Sequence, residues 1–164
     1  MKGIVYGLAF VLPAMAALGA CAPKETATQL PDMIPVPDGV VGLAGTSWQL
    51  VEFRSMDDAQ GIKRPGDVTR YTVSFDAEGR ASFRLDCNRG TGSYTREVSS
   101  ATGGTLTFGP IAVTKALCPE PSMGEFLEKQ LPWVRSYTMA DGHLNMALMA
   151  DGGIIVWEAL PSAP

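Results

Sequence analysis

From residue 70 onward the chain alternates between apolar and polar positions. Tyr71, Val73 and Phe75 are separated by Thr72 and Ser74, the period-two pattern of a strand with one buried face. Asp76 to Gly79 (DAEG) reads as a turn in which Gly79 is free to take positive φ. The return strand carries Ala81, Phe83, Leu85 and Cys87 on one face and Ser82, Arg84 and Asp86 on the other. Cys87 is therefore expected to point inward beside Phe83 and Leu85. Upstream, Thr46 to Ser55 (TSWQLVEFRS) is β-prone and apolar enough for a first strand. Gly92 to Val98 and Thr105 to Phe108 suggest two more around the flexible SSATGG, and Ile111 to Leu117 is a short apolar run. The last third predicts a three-stranded meander: Arg135 to Ala140, Leu144 to Met149 and Ile154 to Ala159, joined by Asp141-Gly142 and Asp151-Gly152-Gly153. One helix is signalled. Ser122-Met123-Gly124-Glu125 fits a capping box, Phe126, Leu127 and Leu131 follow, and Pro132 limits its continuation. Short antiparallel strands with one helix predict an α+β fold whose sheet is strongly curved, half-open and barrel-like, which reduces its exposed edges.

The first 42 residues lie outside this pattern. Lys2 is followed by an apolar stretch from Ile4 to Ala17, too short to span a bilayer, so residues 1–20 read as a secretory signal. Its end, Leu18-Gly19-Ala20-Cys21, resembles the bacterial lipobox, in which the cysteine after the cleavage point carries a diacylglycerol. Cys21 is then the lipidation site and the membrane anchor, and Ala22 in the next position implies sorting to the outer membrane, facing the periplasm. Residues 21–42 contain Pro23, Pro31, Pro35 and Pro37 with no aromatic side chain, the composition of an extended tether. The domain itself is expected over residues 43–160.

Export changes the chemistry of the remaining cysteines. Of three in the chain, Cys87 and Cys118 are left once Cys21 is lipidated, an even number in an oxidising compartment. A nucleophilic Cys87 would need a base, and the one histidine, His143, follows an Asp-Gly turn. Neither cysteine has partners at zinc-ligand spacing. Asp57, Asp58 and Asp86 are isolated acids read as solvated, and GTGS at 90–93 lacks the lysine of a phosphate loop. No catalytic, cofactor or metal residues are therefore assigned, and a disulfide between Cys87 and Cys118 is expected. It would close a loop of 31 positions and contribute ~3–4 kcal/mol on the chain-entropy estimate. Without residues 1–20 the 13 basic side chains fall to 12 against 17 acidic, a net −5. With no basic run and no interleaved aromatics, nucleic acid is excluded as a partner.

Asp86-Cys87-Asn88-Arg89-Gly90-Thr91-Gly92-Ser93-Tyr94 resembles the C-N-R-x-x-G-x-Y core of the META domain, also called the HslJ family. Gly45-Thr46-Ser47-Trp48-Gln49-Leu50, Val113-Thr114-Lys115-Ala116-Leu117-Cys118-Pro119 and Glu125-Phe126-Leu127 match in the same order. The departures are Gly90-Thr91, where members often carry aromatics, and Asp86, where glycine is common. The resemblance implies a curved antiparallel sheet with a helix, in an exported protein or outer-membrane lipoprotein without known catalysis. The implied role is in envelope stress tolerance or assembly, with an envelope protein as partner. Two alternatives stay open: a module holding an acyl chain or small apolar ligand, and a proteinaceous enzyme inhibitor presenting residues 88–93. Asn88 and Arg89 match the motif; they either serve a partner or tie the turn through side-chain hydrogen bonds, and the second reading is favoured.

Overall fold

The computed structural model describes residues 42–161. Cys21, the signal segment and the tether up to residue 41 lie outside the described residues. Among these residues are ten strands and one α-helix, in the predicted order apart from β2, which the sequence reading did not signal: β1 (Thr46–Arg54), β2 (Ile62–Lys63), β3 (Tyr71–Phe75), β4 (Arg80–Leu85), β5 (Asn88–Ser100), β6 (Gly103–Phe108), β7 (Ala112–Val113), α1 (Gly124–Gln130), β8 (Val134–Ala140), β9 (His143–Leu148) and β10 (Ile154–Ala159). Eight of them form an antiparallel ring in the order β1-β3-β4-β5-β6-β8-β9-β10, and β10 closes on β1 with Trp48 opposite Ala159 and Arg54 opposite Ile154. β2 adds to β1, and β7 to β5. The strong curvature expected from the sequence thus runs to full closure.

Alternation explains what fills the ring. Tyr71, Val73 and Phe75 of β3, Ala81, Phe83 and Leu85 of β4, and Leu144 and Met146 of β9 are all buried, with Trp157 of β10 between them. Phe75 meets Tyr94 edge-on at 4.9 Å, and Phe83 meets Phe108 at 5.3 Å. An eight-stranded barrel is just wide enough for its own side chains to fill. Here they do.

The two ends differ. At the entry end the chain arrives through buried Leu43, the Gly45 N–H donates to the Phe75 carbonyl, and β10 leaves with the Leu160 N–H on the Ser47 carbonyl at 2.9 Å. At the other end α1 acts as a stopper. Leu127 and Leu131 are buried beneath it, and Phe126 packs edge-on against Phe53 at 4.9 Å. Gly124 lets the helix approach β4, because a β-carbon there would stand 2.8 Å from the Leu85 carbonyl oxygen.

Three local expectations are corrected. The inward face of β4 ends at Leu85: Asp86 takes φ +65° in a two-residue turn, so that Asp86 is buried and Cys87 exposed. Asn88 and Arg89 are not in the turn but open β5, opposite Leu85 and Arg84. The capping box does not form. The helix starts at Gly124 with Met123 as its cap residue, Ser122 Oγ accepts from the Gly124 N–H at 3.2 Å, and Glu125 pairs with Lys129 instead. The reason is tertiary, since the Tyr71 hydroxyl takes the Met123 N–H at 3.0 Å and moves the helix start past Ser122.

Candidate functional site

The helix end of the barrel brings together four of the residues singled out in the sequence: Cys87, Asn88, Arg89 and Cys118. Cys87 and Cys118 are at disulfide-bonding distance, their Cα atoms 5.6 Å apart. The bond staples the β4–β5 turn to the chain that follows β7. That chain, residues 114–118, has no strand assignment of its own, yet it continues the line of β7 along β5.

Asn88 explains how. The Thr114 N–H donates to the Arg89 carbonyl at 2.9 Å, and the Arg89 N–H to Thr114 Oγ1 at 3.0 Å. One step further on, β5 has already turned back into β4 and has no main chain left to offer. The Asn88 carboxamide takes its place. Its Nδ2 donates to the Ala116 carbonyl at 3.0 Å and its Oδ1 accepts from the Ala116 N–H at 2.8 Å. A carboxamide has one donor side and one acceptor side, as a peptide group has, so Ala116 is paired as though a strand residue faced it. Asn88 Oδ1 also accepts from the Thr114 hydroxyl at 2.9 Å, and Nδ2 lies 3.3 Å from Cys118 Sγ.

Arg89 differs from its neighbour. Its contacts with the clamped segment are made by its own main chain, while among the described residues its exposed guanidinium donates only to the Asn88 carbonyl, at 3.2 Å. The side-chain ties expected of the pair therefore belong to Asn88.

Sequence reasoning missed Asp86, which it read as solvated. Asp86 is 1 % exposed, ion-paired with Arg70 and within 3.4 Å of the Tyr71 hydroxyl that would donate to it. The same hydroxyl accepts from Met123, so Asp86, Tyr71 and the start of α1 form one polar chain beneath the staple. Two signals were available: a non-glycine where the family commonly has glycine, and an arginine and tyrosine where the paired strand begins. Glu52 is a second buried acid, held between Arg54 and Arg64. Burial pushes its carboxyl upward, but hydrogen bonds and charge from the two arginines outweigh this and hold it below the ordinary carboxylate range.

Beside the clamped segment lies a groove of about 300 Å³, lined by Leu85 of β4, Asn88 of β5 and residues of the clamped segment from Val113 to Leu117, and by Gly124, Glu125 and Glu128 of α1. Lys115 Nζ reaches Glu128 Oε1 across it at 2.5 Å. The Lys129 ammonium hydrogen-bonds Glu125 and holds its carboxyl below the usual range. His143 lies at the entry end, its Nδ1 2.9 Å from the Asp141 carbonyl oxygen. Among the described residues no three His, Cys, Asp or Glu side chains converge as metal ligands would. What this corner offers chemically is main-chain hydrogen bonding, apolar contact and a few carboxylates.

Fold and site together define a small closed β-barrel, stoppered by one helix, whose distinctive feature is a stapled strand extension. The chain belongs to the META domain family, whose model matches residues 41–159. It is similar in structure to a protein from Burkholderia xenovorans solved by NMR, at 20 % identity and a TM-score of 0.59, covering 81 % of this chain and 98 % of that one. It is also similar to a DUF4847 family protein from Bacteroides vulgatus, at 14 % identity and a TM-score of 0.51, covering 71 % of this chain and 93 % of that one. At such identities the likeness bears on the fold alone. No curated protein matches the chain.

Proposed function

We propose that this protein is anchored in the outer membrane through a lipidated Cys21, faces the periplasm, and acts there without catalysis. Its META barrel is a docking module for an envelope protein, used in envelope assembly or stress tolerance. The observation that carries this reading is the polarity of the barrel. The chain enters at Leu43 and leaves at Leu160 through the same end, while the stapled corner and its groove lie at the opposite end. A chain coming from an upstream anchor therefore joins the barrel at the entry end and leaves the stapled corner free of the attachment.

Neither alternative gains comparable support. An acyl ligand would need the barrel interior, which Trp157, Tyr71, Tyr137 and Phe53 fill. An inhibitory loop at residues 88–93 would need to project, and those residues lie in β5, paired with β4.

The test is fractionation of cells expressing the full chain and its Cys21→Ser variant. The native protein is expected in the outer-membrane fraction with an acyl-modified N-terminus by mass spectrometry. The variant is expected to lose the acyl mass and the membrane association together. Equal partitioning of the two forms would overturn the anchor.

A further inference from the structure

The two sulfurs of the staple are not equivalent. Cys87 is exposed, while Cys118 is half-buried. Two N–H groups converge on Cys118 Sγ: the main-chain N–H of Cys87 and one N–H of the Asn88 carboxamide, each at 3.3 Å. The other N–H of that carboxamide is the one given to the Ala116 carbonyl, so Asn88 serves strand and sulfur at once. Among the described residues no N–H donates to Cys87 Sγ in this way. The Ala116 carbonyl oxygen stands 3.9 Å from both sulfurs and does not discriminate between them.

In a disulfide these donors meet a weak acceptor. They gain strength when Cys118 carries charge, because a hydrogen bond to the charged form of a group favours that form. Full charges nearby do not separate the two sulfurs. Asp86 is matched by Arg70, Glu125 by Lys129 and Glu128 by Lys115. Arg84 and Arg89 flank the turn that carries Cys87, and Glu120 lies beside Cys118. All three reach solvent, which screens them, and because the sulfurs are neighbours each charge acts on both. The N–H pair touches one sulfur only and decides which is the better thiolate. In thiol–disulfide exchange the sulfur whose thiol has the lower pKa leaves faster, and the sulfur attacked must be accessible. Both conditions select the same direction.

We infer that Cys87 is the site at which an incoming thiol is bound and Cys118 its resolving partner, which makes the staple a reversible clasp. A thiolate attacks Cys87 Sγ. The new sulfur–sulfur bond forms on Cys87 as its bond to Cys118 breaks, and the electron pair leaves on Cys118 as a thiolate held by the two N–H groups. In reverse, the Cys118 thiolate attacks Cys87 Sγ, restores the disulfide and expels the thiolate that entered. No further oxidant or reductant is consumed. Asn88 keeps Ala116 and Arg89 keeps Thr114 throughout, so the adduct sits on a folded corner. The incoming thiolate is that of a small thiol or of a partner protein, the chemistry being the same. The inference goes beyond the docking reading and needs neither it nor the anchor, only the Cys87–Cys118 bond.

The test uses detergent-solubilised full-length protein in its oxidised form. Reduced glutathione is the small thiol, and reduced thioredoxin with its second active-site cysteine replaced by serine is the protein one. Reactions are quenched in acid at early times, and adducts are located by peptide mass spectrometry, which reads residues 87 and 118 whatever Cys21 carries. Either thiol is expected on Cys87 over Cys118 by about tenfold or more. The faster of the two at equal thiolate concentration identifies the source. In the fully reduced protein, alkylation followed against pH should show Cys118 ionising at a lower pH than Cys87. Asn88→Ala removes one of the two donors and should narrow both differences. The two native readouts stand even where that variant does not fold. Absence of any adduct, an equal or reversed distribution, Cys118 ionising at or above the pH of Cys87, or a folded Asn88→Ala with unchanged selectivity would each overturn the inference.

Discussion

If the Asn88 carboxamide acts as a peptide group, its two sides should be separately testable. Asn88→Ala strands the N–H and C=O of Ala116 and frees the Thr114 hydroxyl. Ala116 is exposed, so water replaces part of what is lost. Three hydrogen bonds at a net 0.5–1.5 kcal/mol each, discounted for that solvation, put the loss at about 2–3 kcal/mol. That is a sizeable share of the 5–15 kcal/mol typical of a domain, on the order of an eighth to a little over a half. Asn88→Asp is the sharper perturbation. It keeps the acceptor facing the Ala116 N–H but replaces the donor with a carboxylate oxygen facing the Ala116 carbonyl. At neutral pH it should lose about as much as the alanine variant. On acidification it should recover part of the difference from the native protein, because a protonated carboxyl regains a donor. Arg89→Ala is the control, since its side chain makes one exposed bond, and its effect should stay within about 0.5 kcal/mol. The assay is equilibrium urea unfolding of the oxidised proteins, with exchange of the Ala116 amide followed by NMR. Native-like stability and unchanged exchange in Asn88→Ala would refute the reasoning.

Cys87→Ser, Cys118→Ser and the double variant should each lose a similar ~3–4 kcal/mol, because all three remove one crosslink over 31 positions; free thiols at both positions of the native protein, by alkylation and mass spectrometry, would count against it. Gly124→Ala should destabilise by about 1–3 kcal/mol in the same urea assay, despite the better helix propensity of alanine, because the new methyl meets the Leu85 carbonyl. A gain in stability would show that α1 moves away freely. The folded Glu52 carboxyl lies below its unfolded value, so its contribution is complete above the unfolded value and is lost as pH falls through the folded one. Between neutral pH and pH ~3 the native protein should therefore lose more stability than Glu52→Gln, and parallel pH profiles would refute the assignment.

The parts legible in the sequence were those with local causes. Period-two alternation located β3 and β4, and aspartate-glycine pairs marked the hairpins on either side of β9, because pleat and turn act over a few residues. Closure was not legible. It rests on β1 meeting β10 across most of the chain, with no local signature at either strand. The inward Cys87 failed because alternation was carried two residues past the strand, through a positive φ at Asp86 that reverses the faces. Asp86 itself looked like any exposed acid until Arg70 and Tyr71 stood beside it. The capping box was a sound local pattern overridden by a distant hydroxyl. For Asn88 the family motif marked the position but not the partner, since Ala116 lies 28 residues away.

The stapled corner follows from the way the ring is closed. A barrel removes its edges only if every strand keeps two neighbours along its whole length. β5 runs for 13 residues and needs a partner throughout, so β6 pairs with one part of it and β7 with another. β8 stays with β6 at the entry end and then gives way to the turn leading back to α1. The extension beyond β7 is left with one neighbour, and beyond Arg89 even that neighbour turns away. A lone extension in water has no reason to stay extended. The disulfide, the carboxamide of Asn88 and the Thr114 hydroxyl supply that reason together, and they act only on the side facing β5.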